Sequence, residues 1–167
     1  TLYLWHLLTH RASWFWRMHA IHHADRDLDV STGVAFHPLE LAISIVARAG
    51  FVAAAGVSPR AFDVWQSAIL TSSVFHHANV RLPLPLERLL RLVVVTPRLH
   101  GIHHSEVAAH RKANLSSGLT LWDWLHGTLR SDVPQAWITI GLPDARRSGQ
   151  ERFLRLLALP FASGRGR

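Results

Sequence analysis

The sequence predicts an all-α fold: a membrane helical hairpin with a cytoplasmic helical cap that carries histidine boxes. Three observations point there. Two mostly apolar stretches, 39–57 and 61–75, meet at Gly56-Val57-Ser58-Pro59-Arg60, a turn signal that makes them antiparallel arms of one hairpin. Histidines outside the arms recur at i, i+3 and i+4, the spacing of residues on one helix face. Basic residues gather on the flanks, with Arg11, Arg17 and Arg26 before the hairpin and Arg81, Arg88, Arg91, Arg98 and Arg111 after it. The turn carries only Arg60, so the positive-inside rule places both flanks on the cytoplasmic face.

The first element holds His6 and His10 as HxxxH, and the second holds His19, His22 and His23 as HxxHH. Each HxxHH directs up to three imidazoles at a single point. Asp25, Asp27 and Asp29 read as a solvated turn, with the alternative of orienting a ligating imidazole. His37 stands before Pro38 at the start of the first arm, either as a helix-start residue or packed behind the ligands. The arms are interrupted by Glu40 and Arg48, then by Asp63 and Gln66. Each is near the lower limit of the roughly 17 to 25 residues that cross a hydrocarbon core, so the spanning reading rests on the pair. The alternative is two buried helices of a soluble bundle. His76 and His77 close the second arm, and because no histidine lies between His37 and His76, the hairpin brings two distant histidine-rich regions together.

After Pro83 and Pro85, residues 86–95 read as a short amphipathic helix, suited to a membrane interface or to an ordinary surface. A second HxxHH follows, with His100, His103 and His104. Residues 119–125 form a short Trp-containing helix, 151–161 an amphipathic tail helix, and 163–167 a disordered tail. Residues 1–162 are expected to be one domain.

Composition narrows the chemistry. Of 167 residues 13 are histidine and none is cysteine, which excludes disulfide scaffolds, thiolate zinc and iron–sulfur clusters and leaves nitrogen and oxygen as metal ligands. The formal charge is +7, and 17 of 18 basic residues are Arg, Lys112 being the one lysine. Nucleic acid and anionic lipid both suit such a charge, but no helix-turn-helix, zinc-finger or RNA-binding signature is present, so membrane is the partner and nucleic acid is not. The chain opens on Thr1 with no basic segment followed by an apolar one, so no signal peptide is visible and an N-terminally incomplete chain is expected.

Grouping polar, ionisable rings has no packing rationale, because unpaired imidazoles carry a desolvation cost. Structural zinc takes roughly four ligands and catalytic zinc roughly three, so eight or more convergent imidazoles point to two ions. Imidazole suits iron, zinc, copper and nickel alike. HExxH is absent, and no Glu stands three residues before a His, which argues against the common zinc hydrolases and the carboxylate di-iron bundles.

The order HxxxH, HxxHH and late HxxHH around a hairpin resembles the fatty acid hydroxylase and sterol desaturase superfamily of integral-membrane di-iron oxygenases. Trp16-Arg17-Met18-His19-Ala20-Ile21-His22-His23 resembles its second box, and His37-Pro38-Leu39-Glu40 the segment after it. Residues 77–83, Thr96-Pro97 through His104-Ser105, and Leu121-Trp122-Asp123 with Gly127-Thr128 fall in the family's order. Leu7 replaces a common Arg, Asn114-Leu115-Ser116 a common Asn-Tyr-Gly, and His126 a common Phe, so His126 is read as packing. The resemblance implies His6, His10, His19, His22, His23, His77, His100, His103 and His104 as ligands, with His76 as a tenth. It leaves His37, Asn79, Asn114 and Asp123 as residues behind them and His110 at the surface. It also implies membrane helices upstream of Thr1.

The implied function is a membrane-bound di-iron oxygenase that activates O2 to hydroxylate or desaturate a C–H bond of a lipid such as a fatty acid or sterol. The metal ligands are its whole catalytic equipment. Two iron ions, replaceable by zinc, and O2 are the implied cofactors. No flavin or nicotinamide motif is visible, so an external cytochrome- or ferredoxin-type electron carrier is the implied partner. The alternatives are a zinc-dependent membrane hydrolase and a non-catalytic membrane metal-binding protein.

Overall fold

The computed structural model describes residues 2–143 and 153–161; the expected tail 163–167 and the start of the expected tail helix, Glu151, lie outside them. Among the described residues every regular element is helical, with only the isolated bridges Val94–Leu119 and Ser105–Ile140 outside that class. The helices are α1 (Leu2–Arg11), α2 (Ser13–His23), α3 (Pro38–Ala54), α4 (Pro59–His77), α5 (Leu84–Leu90), α6 (Pro97–His103), α7 (Leu121–His126) and α8 (Phe153–Ala158). Short 3-10 turns occupy Thr32–Val34, His110–Lys112, Gln135–Trp137 and Leu159–Phe161.

Three of the helices that bring residues to the centre start in the same way. His37, Ser58 and Thr96 cap α3, α4 and α6, each accepting a backbone N–H of the first turn, and a proline follows each cap. The side-chain acceptor satisfies an orphan donor, and proline at the first helical position lacks the N–H that would need one. Between α1 and α2, Ala12 is extended, so the two helices are separate rods packed on each other. Gly56, at φ 62, supplies the left-handed turn after α3 that sends the chain back along α4.

The hairpin is present, but its arms are splayed: α3 packs on α2 and α4 on α6 rather than closely on each other. Among the described residues no helix is long and apolar enough to cross a membrane, which corrects the spanning expectation for 39–57 and 61–75. α3 has 17 residues, and α4 has 19 but carries Asp63, Gln66 and several hydroxyls. Residues 86–95 also differ from expectation. The helix begins at Leu84 and stops at Leu90, because the β-branched run Val93-Val94-Val95 favours extended backbone and pairs through Val94–Leu119 and Val95 N–H to the Gly118 carbonyl.

The apolar core is small. Met18, Leu99, Ile102, Leu115 and Val95 are fully enclosed, and beside them lie His23, His103, His104, Asn114 and Thr9. A buried ion pair, Arg98 to Glu87 at 2.8 Å, ties α6 to α5, and Arg98 also donates to the carbonyls of Ser131 and Val133.

Candidate metal centre

Nine of the ten histidines named from sequence converge in two groups. His6, His10, His19, His23 and His103 form one, and His22, His77, His100 and His104 the other, with the ligand atoms of each group within 4.8 Å of one another. His76 belongs to neither. It is buried, with its ring 4.6 Å from His77 and 4.2 Å from His100, and its Nδ1 has no hydrogen-bond partner.

The expectation that each HxxHH aims three imidazoles at one point is corrected. In both boxes the i and i+4 histidines stay together, His19 with His23 and His100 with His104, while the i+3 histidines, His22 and His103, join the opposite group. Helix geometry explains the division. Positions i and i+4 differ by about 40° around the axis, whereas i+3 and i+4 differ by about 100°. His6 and His10, also four apart, share a group for the same reason.

Ring orientation is fixed from outside the clusters. His6 Nδ1 donates to the Leu115 carbonyl (2.7 Å), His103 Nδ1 to Ala113 (2.8 Å), His22 Nδ1 to Thr32 (2.9 Å) and His77 Nδ1 to Ser73 (2.9 Å). A carbonyl only accepts, so these four rings carry their proton on Nδ1 and present Nε2 as a lone pair. His22 and His77 nevertheless bring their Nε2 atoms to 3.4 Å, where two lone pairs repel without a shared cation. His100 and His77 approach at 3.0 Å and His10 and His6 at 3.2 Å. In addition, His19 Nε2, His103 Nε2 and both ring nitrogens of His23 and His104 are buried without partners. Such orphans cost free energy unless something binds them, and a metal ion fits this donor set.

Burial also sets the protonation state. Desolvation pushes His6 down to about 3 and His77 to about 4, and it holds His10, His22, His23, His76, His100, His103 and His104 well below the usual imidazole range. Repulsion among neighbouring imidazoles adds to the effect at most of these rings, including His22 and His104. Neutral imidazole is the ligating form.

The residues expected behind the ligands divide. Asn114, at φ 53, sits between the two carbonyls that hold His103 and His6. Its Nδ2 donates to Leu99 and Arg130 carbonyls, and its Oδ1 accepts the Arg130 N–H. Asp123 accepts the Leu115 and Ser116 N–H groups and the Thr128 hydroxyl, pinning the same loop. His37 is instead the α3 cap, accepting the Leu39 N–H on Nδ1 and bonding the Leu157 carbonyl through Nε2. Asn79 is exposed just past α4 and is not packed behind the imidazoles. Asp25 acts at one remove, accepting the hydroxyl of Thr32, whose carbonyl holds His22. His110 is half-buried beside Ser105, and exposed His126 stacks on Tyr3 at 4.4 Å, as expected of a packing residue.

Glu40 is the residue that sequence reasoning missed. It entered as a charge in an apolar arm and as the last residue of a family-like segment, with no role assigned, yet it is 3% exposed and its Oε1 lies 2.9 Å from His19 Nδ1. A carboxylate behind an imidazole fixes the ring and raises its basicity as a ligand. The available signal was its position, an acid in the first turn of an apolar helix immediately after His37-Pro38-Leu39.

A cavity of about 250 Å³ opens on the clusters. His6, His19, His22, His76, His77 and His100 line one end, and Trp5, Phe36, Leu41, Ile69 and Leu70 form apolar wall between the splayed arms. Phe36 lies flat on His22, 4.4 Å away.

The family model for fatty acid hydroxylases matches residues 1–128. An ornithine lipid hydroxylase of Rhizobium tropici is 33% identical over 163 residues, 96% of this chain and 47% of that protein. An alkylglycerol monooxygenase of Homo sapiens is 26% identical over 131 residues, 78% of this chain and 28% of that protein. The chain thus spans half or less of the length of these curated relatives. No solved structure matches it.

Proposed function

The chain belongs to the fatty acid hydroxylase family, and from that premise we propose that it is the histidine-cluster domain of a di-iron oxygenase that hydroxylates a C–H bond of a lipid with O2. The observation that carries this reading is the pair of buried imidazole groups facing one apolar-walled cavity. The printed names of both relatives, a lipid hydroxylase and an alkylglycerol monooxygenase, support the reaction class.

When bound, two iron ions would supply the redox chemistry that imidazole lacks. His6, His10, His19, His23 and His103 would hold one, and His22, His77, His100 and His104 the other. The chain's own residues position and enclose. Glu40 and the carbonyls of Leu115, Ala113, Thr32 and Ser73 keep the coordinating nitrogens aimed inward. Trp5, Phe36, Leu41, Ile69 and Leu70 seat an alkyl segment beside the clusters and exclude water.

Insertion of one oxygen atom into a C–H bond consumes O2, two electrons and two protons and releases water. The electrons require an external carrier, for which the +7 chain suits an acidic cytochrome or ferredoxin. Ile45, Val46, Phe51, Val64 and Val74 are exposed apolar side chains on α3 and α4, and they support a domain that meets a lipid phase.

Iron-replete expression of the full-length protein, with metal analysis and O2-dependent lipid product measured together, tests the proposal. Two irons per chain and a product that gains one atom from ¹⁸O2 are expected. Turnover by zinc-loaded protein without O2 would sink it.

A further inference from the structure

The cavity has a second polar end that the metal clusters do not explain. Glu40, Ser44 and Arg48 line it from α3 at intervals of four, and Gln66, Ile69, Leu70, Ser73, His76 and His77 line it from α4 at helical spacing, so one face of each arm forms the slot. Glu40 holds His19 at one end; Arg48 lies two turns further, about 12 Å along the helix. Gln66 stands at a comparable height on the other arm, since Arg48 and Gln66 are each about 10–12 Å from the hairpin turn. Leu41, Ile69 and Leu70 lie between the two polar ends.

The groups at this end are poorly satisfied. Arg48 is half-buried, and its bonds stay within its own helix: Nε donates to the Ser44 carbonyl at 3.2 Å and Nη2 to the Ser44 hydroxyl at 3.4 Å. Among the described residues no carboxylate pairs with it. Gln66 Oε1 is buried without any partner, and a half-turn of the terminal amide torsion exchanges that acceptor for the Nε2 donors an oxyanion needs. A guanidinium in an apolar slot, with donors to spare, favours a planar oxyanion.

Resting on the lipid-oxidation reading above, we propose that Arg48 and Gln66 form a head-group site that selects amphiphiles with an oxyanion, a carboxylate or a phosphate. Because the guanidinium folds back onto Ser44, the site holds that oxyanion one to two helical turns, about 6–12 Å, from Glu40, and the alkyl segment lies along Leu41, Ile69 and Leu70. Arg48 would thereby set which lipids enter and which carbon is offered.

Equilibrium binding separates this inference from the oxidation itself. Full-length protein in a non-ionic detergent is presented with palmitate, 1-palmitoyl lysophosphatidate and hexadecanol, which share a chain and differ in head group. The wild type is expected to bind at least one anionic amphiphile about tenfold or more tighter than hexadecanol, the scale of one charge-assisted hydrogen bond. Palmitate in front assigns a carboxylate, and lysophosphatidate in front a phosphate. Arg48→Gln should abolish the preference while leaving hexadecanol affinity and metal content unchanged, and Arg48→Lys should keep part of it. Gln66→Leu, which leaves the cation in place, should weaken the preference and serves where Arg48→Gln does not fold. Equal binding of all three by the wild type, or a preference that survives Arg48→Gln, overturns the proposal. Intact selectivity in protein that never oxidises lipid would instead overturn the oxygenase reading alone.

Discussion

The histidine core and the hairpin invert the usual partition of a folded chain in opposite senses. In the core, polar rings are buried, with His23, His103 and His104 wholly enclosed; on the hairpin, apolar side chains are exposed, Val46 at 72% and Val64 at 65%. Each inversion is unfavourable alone, since buried unpaired imidazoles and exposed aliphatic surface both cost free energy. Under the proposed function each would be relieved by a partner of matching chemistry, a cation inside and an apolar phase outside.

The largest expected effect comes from removing a core ring. His103→Ala and His22→Ala strike different groups, so each should cost about half the bound metal and lower lipid oxidation by roughly 100-fold or more, beyond the usual effect of a residue behind the ligands. Metal analysis beside product assay checks this; full activity with one group emptied would break the claim that the core works as a unit.

Glu40 comes next. Glu40→Leu should weaken metal binding at the His19 group by about 10–100-fold, with Glu40→Gln falling between the variant and wild type because it keeps a hydrogen-bond acceptor. Competition with a chelator reads the affinity directly, and equal loss at both groups would argue against a local role.

Acid acts on the core through its enclosed rings. His6 and His77 are held at about 3 and about 4, below the ordinary 6.5, so the unfolded chain takes up protons that the folded core refuses. Their contribution to stability is present above 6.5 and is lost as pH falls from there toward 4 and 3. Thermal midpoints of metal-free protein should drop across that window. A flat profile would mean these rings are not neutral and enclosed.

The smallest effect belongs to the hairpin surface. Val46→Ser with Val64→Ser should change folding stability by about 0.5 kcal/mol or less, as exposed positions do, and should leave metal content unaltered. Binding to lipid vesicles should fall, by flotation assay. Vesicle binding that is unaffected would remove the lipid phase as the hairpin's partner.

Much of the core was legible in the sequence because histidine spacing and helix periodicity are local properties. His37-Pro38 likewise marked the start of α3, whereas Ser58-Pro59 reads in sequence as a turn and Thr96-Pro97 as a family-like segment, and in the structure both are helix caps. Less legible was the stretch 91–95, where pairing with residues 118–120, distant in sequence, overrode a helical pattern. Asn79 and His37 were drawn toward the site by the family resemblance, but backbone direction at the end of α4 and at the start of α3 takes them elsewhere.

By itself the sequence determined that the chain is helical, that its histidines fall on helix faces, and that their number exceeds what one ion takes. Only the tertiary structure decided which ring serves which centre. An HxxHH box offers its i+3 ring about 100° away from its i+4 ring, and where that ring goes depends on acceptors supplied by other segments. Glu40 holds His19 for one group and the Thr32 carbonyl holds His22 for the other. Those acceptors come from α3 and from the 3-10 turn before it, and one of them is backbone, which no side-chain motif records.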